Sequence, residues 1–263
     1  MSEPHLLIEK EGHVCTLTLN RPKAMNAFGL EMLARVADAW TMVDEDDDIR
    51  VVILTGAGGN FSTGADLKTH LDRQESPWQK RFDEDPDLHW KAFLRHYRIS
   101  KPLIAAVEGY ALGGGTEILQ ATDIRVAAET AKFGLTEPRW GLFPLGGSTV
   151  RLRRQIPYTR AMEMLLLGEM ITAEQALGYG LIGRVVPEGE ALAEARKLAE
   201  RIASNGPLAV QAILRSVRET EGMSQEEALK KELEIGWPIL KTKDAREGGR
   251  AFAEKRKPEF KGE

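Results

Sequence analysis

The stretch "GYALGGGTEILQ", residues 109–120, places three glycines directly in front of a glutamate. Leu112 and Ile118 flank them, and the apolar run "PLIAAVE" (102–108) leads in, so the stretch reads as buried. Glycine is used where backbone must approach something closely or take dihedrals that a Cβ forbids. A second apolar run, "RVVILTGA" (50–57), delivers a second glycine-rich loop, "GAGGNFSTGADL" (56–67). Two buried strands that each hand over to a glycine loop set the fold class. It is an α/β core whose loops carry the chemistry.

The rest of the chain extends this pattern. "HLLIEKEGHVCTLTLN" (5–20) alternates as a hairpin joined through Glu11-Gly12. Leu30, Leu33, Val36, Ala37, Trp40 and Val43 recur at helical spacing, and the helix runs into "DEDDD" (44–48), read as a solvated end. Residues 69–90 are polar and interrupted by proline, which predicts a mobile loop. A strand "DIRVAA" (123–128), a loop "KFGLTEPRWGLFPLGGS" (132–148), helices over 147–180 and a short strand "LIGRVVP" (181–187) follow. From about 189 the chain is almost wholly helical, with surface-type charge alternation in "EEALKKELE". We therefore divide it into a core, 1–188, that carries the site, and a C-terminal helical region, 189–263.

Composition narrows the function classes. A chain of 263 residues with 42% hydrophobic and 29% charged residues is ordinary for a soluble globular protein. A net charge of −4 offers no electrostatic reason to expect nucleic acid or an anionic membrane as partner. Cys15 is the only cysteine, so intramolecular disulfides and cysteine-rich zinc sites are excluded. It shares a strand face with Leu17 and Leu19 and reads as a small buried hydrophobe. The opening "MSEPHLLIEKEG" has no apolar signal core, and no run approaches the ~18 apolar residues of a membrane span. A cytoplasmic location is expected. Neither glycine loop has the spacing of a phosphate loop or a dinucleotide-binding turn, and there is no G-x-S-x-G elbow. None of the five histidines falls in a metal-ligand pattern, and no metal is expected.

Backbone donors and carboxylates remain. Two strand-to-loop junctions with glycine can aim two N–H groups at one oxygen, which is the geometry of an oxyanion hole. The candidates are Gly64-Ala65 and Gly113-Gly114-Gly115. Glu117 falls in the first turn of the following helix, where the helix dipole favours negative charge. Glu137, in "GLTEPRWG", comes 20 residues later after a strand leading back to the same face. Taken alone, Glu117 reads as a helix N-terminal stabiliser and Glu137, beside Pro138, as a solvated loop residue.

The segments "NRPKAMNAF", "GGNFSTGADLK", "AVEGYALGGGTE", "DIRVAAETAKFGLTEPRWGLFPLGGS" and "AFAEKRKPEFKG" together resemble the crotonase superfamily, specifically enoyl-CoA hydratases. The matches are in order and span nearly the whole chain. The resemblance implies repeated ββα units in two packed sheets, with C-terminal helices that mediate trimers, often paired into hexamers. It implies an acyl-coenzyme A thioester as substrate, with no cofactor beyond the coenzyme A that the substrate carries. The N–H groups of Ala65 and Gly114 would hold the thioester oxygen, and Glu117 and Glu137 would activate water and exchange a proton with the substrate. Lys23, Ala24, Met25, Asp66, Leu67 and Lys68, beside Gly113, would line the coenzyme A site. Phe252 and Lys255 would reach its adenine end, in some members from a neighbouring subunit. Asp66 reads equally as a loop cap, and Trp140 either as wall or core or as an acyl contact. The chain departs from the pattern at Leu135-Thr136, which replace a frequent Gln-Pro, and in the 69–90 segment; both bear on acyl specificity. "TEPRWGLFPLGGSTVRL" and "NGPLAVQAILRSVRET" are similar to an actinobacterial subgroup, some of whose members handle bulky steroid-derived thioesters.

The chemistry fits the residues independently. Adding water across a conjugated C=C builds negative charge on the thioester oxygen, and each preorganised donor there is worth roughly 3–4 kcal/mol. Two carboxylates can then take a proton from water and give one to Cα. Competing readings are a Δ3,Δ2-enoyl-CoA isomerase, an acyl-CoA hydrolase on the same oxyanion hole, and a non-enzymatic scaffold or RNA-binding relative. Isomerases commonly keep one of the two glutamates, so the pair favours hydration. The acidic charge argues against the scaffold.

Overall fold

The computed structural model describes residues 3–67 and 75–263. Among these, nine strands form two sheets. β1 (Leu6–Glu11), β2 (Val14–Leu19), β3 (Val51–Gly56), β4 (Leu103–Val107), β6 (Ile124–Ala128) and β9 (Arg184–Val186) make the larger one, in the order β1-β2-β3-β4-β6-β9. β5 (Tyr110–Leu112), β7 (Lys132–Gly134) and β8 (Met170–Thr172) make the smaller, in the order β5-β7-β8. The β1–β2 hairpin is antiparallel, with Leu6 opposite Leu19 and Glu11 opposite Val14. From β2 to β9 every pairing in the large sheet is parallel.

A parallel sheet must bury both faces, and the strand sequences alternate between two cores. Cys15, Leu17, Leu19, Val52, Leu54, Ala105 and Val107 face one side, against Met32, Leu33, Val36, Ala37 and Trp40 of α1 (Leu30–Glu45). Val14, Val51, Ile53, Ile104, Ala106 and Val126 face the other. Further helices are α2 (Pro77–Glu84), α3 (Leu88–Ala92), α4 (Gly114–Leu119), α5 (Ser148–Gln155), α6 (Tyr158–Leu167), α7 (Ala173–Tyr179) and α8 (Ala191–Ala203). α8 closes the second face with Ala191, Ala195, Leu198, Ala199 and Ala203. α9 (Pro207–Glu219), α10 (Gln225–Gly236) and α11 (Lys243–Glu254) complete the helical C-terminal stretch. Repeated β and α units in two sheets, with helices at the end, match the expected crotonase-type α/β fold. Among the described residues no helix is long and apolar enough to cross a membrane.

Three expectations change. Of the 69–90 stretch, 69–74 lie outside the described residues and the rest is not one loop: Pro77 is the first residue of α2, capped by the Ser76 hydroxyl, so proline starts this helix where it seemed to break one. Trp78, Phe82, Leu88 and Ala92 of α2 and α3 pack on the main core, and the Trp40 indole donates to the Ala92 carbonyl at 3.1 Å. The acidic run is not wholly solvated either, since Asp44 accepts from the Tyr97 hydroxyl at 2.6 Å and the Ser100 N–H at 2.7 Å. Finally, the 132–148 and 147–180 stretches contain β7 and β8, too short for alternation to reveal.

Candidate active site

β3 and β4 end side by side, and their glycine loops meet. Gly64, at φ +88, packs so tightly on the second loop that a Cβ there would stand 2.8 Å from both the Gly114 nitrogen and the Leu112 carbonyl oxygen. Gly113, at φ +51, turns the chain from β5 into α4 and also takes a conformation that other residues adopt at a cost. The N–H groups of Ala65 and Gly114 leave this junction, and among the described residues no protein acceptor takes either of them. Two free donors at one junction are what an oxyanion hole requires.

Buried polar side chains that sequence reading passed over hold the junction. Asn26 accepts from the Arg21 N–H at 2.8 Å and donates to the carbonyls of Ala57 and Asn60 at 2.8 and 2.7 Å. Ser62 donates to the Asn26 carbonyl at 2.8 Å and accepts from the Gly64 N–H at 3.2 Å. "NRPKAMNAF" and "FSTG" contain both residues, yet nothing in composition or spacing separates a buried Asn or Ser from a loop residue before the fold is known.

Glu117 and Glu137 converge here from different elements. Glu117 is 5% exposed; its backbone N–H bonds to the Gly113 carbonyl at 3.0 Å, and its carboxylate accepts from the Ser148 N–H at 3.3 Å. The Gln120 amide donates to the Ser148 hydroxyl at 2.8 Å. Glu137 begins a short turn, Glu137–Trp140, and its Oε1 lies 3.1 Å from where a Gly113 Cβ would stand. Its Oε2 is buried without a hydrogen-bond partner. Burial raises the pKa of both carboxyls. For Glu117 the N–H groups of Gly146 and Ser148, the Ser148 hydroxyl and the Arg151 charge oppose the rise. Glu137 lacks such help from neighbouring residues and faces the Glu117 charge, so it goes up to about 7. Burial thus biases both carboxyls towards the acid, but hydrogen bonds and a positive charge counter the bias only at Glu117, an asymmetry suited to general acid–base catalysis.

Residues 23–25 join the site's rim. The turn Pro22–Ala24 exposes Lys23, Met25 is left-handed at φ +47, and the Thr63 N–H bonds to the Met25 carbonyl at 3.1 Å. Leu67 is exposed too. Asp66 accepts from the Arg21 guanidinium at 2.9 Å, which ties the loop after β3 to the 21–28 segment. Lys68 lies outside the described residues. Trp140 is 71% exposed, which overturns the core reading of this residue. Phe252 and Lys255 end α11, which packs on the 237–241 turn, not on the elements carrying the glutamates. Among the described residues no group of three or more His, Cys, Asp and Glu could hold a metal ion.

Residues 9–263 match the family described as enoyl-CoA hydratase/isomerase. The chain belongs to the enoyl-CoA hydratase/isomerase family. The chain is 54% identical over 259 residues to enoyl-CoA hydratase EchA19 of Mycobacterium tuberculosis, covering 98% of this chain and 97% of that one. It is 43% identical to the (E)-benzylidenesuccinyl-CoA hydratase of Thauera aromatica, covering 97% and 98%. Among solved structures, an enoyl-CoA hydratase from M. tuberculosis superposes with a TM-score of 0.92 at 41% identity, over 99% of this chain and 100% of that one. EchA1 of Mycobacterium marinum, an enoyl-CoA hydratase, gives 0.91 at 42% identity, over 99% and 100%. Within this enoyl-CoA hydratase/isomerase family member, both strand-to-loop junctions fall inside the matched range.

Proposed function

We propose that this protein is an enoyl-CoA hydratase that adds water across the 2,3 double bond of an enoyl-CoA thioester to give the 3-hydroxyacyl-CoA. The observation that carries the reading is the pair Glu117, buried, and Glu137, half-buried, at the junction that presents the Ala65 and Gly114 N–H groups. In this reading the two donors hold the thioester oxygen as it gains charge. Glu117, whose anion the 146–148 loop and Arg151 favour against its burial, takes a proton from water as the oxygen attacks Cβ. Glu137, which retains its proton to about pH 7, delivers it to Cα. The retained pair favours hydration over isomerisation, where one carboxylate suffices.

Lys23, Ala24, Met25, Leu67 and Lys68 are assigned to coenzyme A, with lysines acting as point charges on its phosphates. The partner of Asp66 is Arg21, and we assign it to holding the loop. Phe252 and Lys255 are assigned to the adenine end of a neighbouring subunit's site. The helical region beyond Ala203 would then serve assembly, since α8 already serves the sheet. A cytoplasmic location and the absence of any cofactor beyond the substrate's own coenzyme A complete the reading.

The test is turnover on a thioester panel from crotonyl-CoA to steroid side-chain size, read by loss of enoyl absorbance. Hydration of at least one member with a kcat of ~1 per second or more is expected. Isomerisation of 3-enoyl thioesters without hydration would move the assignment to the isomerase, and thioester cleavage would move it to the hydrolase. Tight coenzyme A binding with no turnover would indicate a scaffold.

A further inference from the structure

Arg151, on α5, enters the chemistry described above only through its charge beside Glu117. Its guanidinium donates to three backbone carbonyls from two segments. Nη1 reaches the Gly146 carbonyl at 3.2 Å, and Nη2 reaches the Leu94 carbonyl at 2.5 Å, with the Phe93 carbonyl at 3.5 Å from Nη1. Each segment holds one half of the site. Gly146 starts the loop whose N–H groups hold the Glu117 carboxylate. Phe93 walls the other half: a Cβ on Gly114 would stand 3.0 Å from its ring, beside the proposed oxyanion donor.

The second segment needs holding. Leu94 sits at φ +51, a left-handed conformation uncommon for a leucine, and it persists only where surroundings enforce it. The Leu94 and Arg95 N–H groups bond back to Lys91 and Trp90, which leaves the outward carbonyls of Phe93 and Leu94 to Arg151. Gly147 completes the arrangement, since a Cβ there would stand 3.2 Å from the Arg151 guanidinium carbon.

We propose that Arg151 is a positioning residue for the hydration reaction, one guanidinium locking the Gly146–Ser148 loop that holds Glu117 to the Phe93–Leu94 turn that walls Gly114. The inference rests on the hydratase reading for its kinetic half only. Arg151 sets the separation of base and oxyanion donors, and its charge also favours the anion of Glu117. Glu137 faces Glu117 across the site, and Arg95, Arg98 and Glu221 surround Arg151 from behind. A methionine fills similar space without charge or donors. A lysine keeps the charge but cannot span both segments.

Wild-type turnover on the thioester panel is measured first and judges the hydratase reading alone. Arg151→Met is then expected to lower kcat by about 100-fold, the size of effect of an ångström-scale misplacement, with KM changed less than about 3-fold. Its acidic limb in kcat against pH should move to higher pH. Arg151→Lys should lower kcat by about 10-fold with the limb unmoved. Arg154→Gln, which removes an exposed charge on the same helix paired with Glu221, should change neither. If Arg151→Met does not fold, Arg151→Lys decides. The proposal is overturned if Arg151→Lys keeps wild-type kcat, or if Arg154→Gln moves the limb as far as Arg151→Met. Should the wild type turn over no thioester, amide exchange in Arg151→Lys settles the matter. Faster exchange at residues 93–95 and 146–148 together supports the lock, and unchanged exchange overturns it.

Discussion

Glu137, the proposed acid, bears on the stability of its own protein. Its pKa is raised from 4.5 to about 7, chiefly by burial, so the folded chain holds this proton more tightly than the unfolded one. Stability from this group is therefore fully present below pH 4.5 and is lost as pH rises through 7. Allowing for its partial exposure, the loss is on the order of 1–2 kcal/mol. Glu137→Gln stays neutral throughout, so its melting temperature at pH 8 should exceed the wild type's by roughly 2–6 °C, with no gain at pH 4.5. The same substitution should lower kcat by roughly 10²–10⁴, a direct trade of activity for stability. Glu117→Gln should cost a similar factor with little change in KM, and the double variant far less than the product, because both serve one transition state. Near-full hydration by either single variant would defeat the pairing. The kcat/KM profile of the wild type should fall on the alkaline side at about pH 7, as the pair gives up its second proton.

At the scale of elements, the proposed oxyanion hole depends on β3 and β4 ending side by side, because its two donors are backbone groups that no side chain can replace. Gly64→Ala would force a Cβ against backbone at 2.8 Å, so one loop must move. Its kcat should drop by roughly 10²–10³, the cost of one lost oxyanion donor, while both glutamates keep their titration. Unchanged turnover in that variant would remove the junction from the mechanism. These elements were legible in advance, because apolar runs ending in glycine need no tertiary knowledge, and the glutamates follow at fixed distances. What stayed hidden depends on contacts between distant segments. Pro77 reads as a helix breaker until Ser76 is seen capping its helix. Asp44 reads as solvated until Tyr97 arrives. Arg151 carries no signal in the sequence, since the left-handed turn at Leu94 that it holds comes from 57 residues away.

The whole molecule leaves a surface that one chain does not finish. Val217 on α9 is 67% exposed and Leu240, in the turn after α10, is 68% exposed, with Ile213, Leu229, Leu233 and Trp237 also largely bare. These residues sit on elements that pack on one another, α9 on α10 and both on the 237–241 turn, so the apolar side chains share one region. Covering such a side chain is worth roughly 1.5–3 kcal/mol, and burying the group together would help offset the entropy of association. Phe252, at 88% exposure, protrudes from α11, which packs on the same 237–241 turn. A second copy would bury this region and at the same time deliver Phe252 and Lys255 to a neighbouring site. The expected state at micromolar concentration is a trimer or hexamer of the 29.2 kDa chain, measured by sedimentation. Val217→Arg combined with Leu240→Arg should dissociate it by placing like charges across the contact. The dissociated variant should then raise KM for thioesters by about 10-fold while kcat falls less, because the adenine end loses its partner and the glutamate pair does not. Lys255→Ala in the intact oligomer should reproduce part of that KM increase and lose it at high salt. A monomeric wild type, or a monomeric variant with an unchanged KM, would separate assembly from coenzyme A binding.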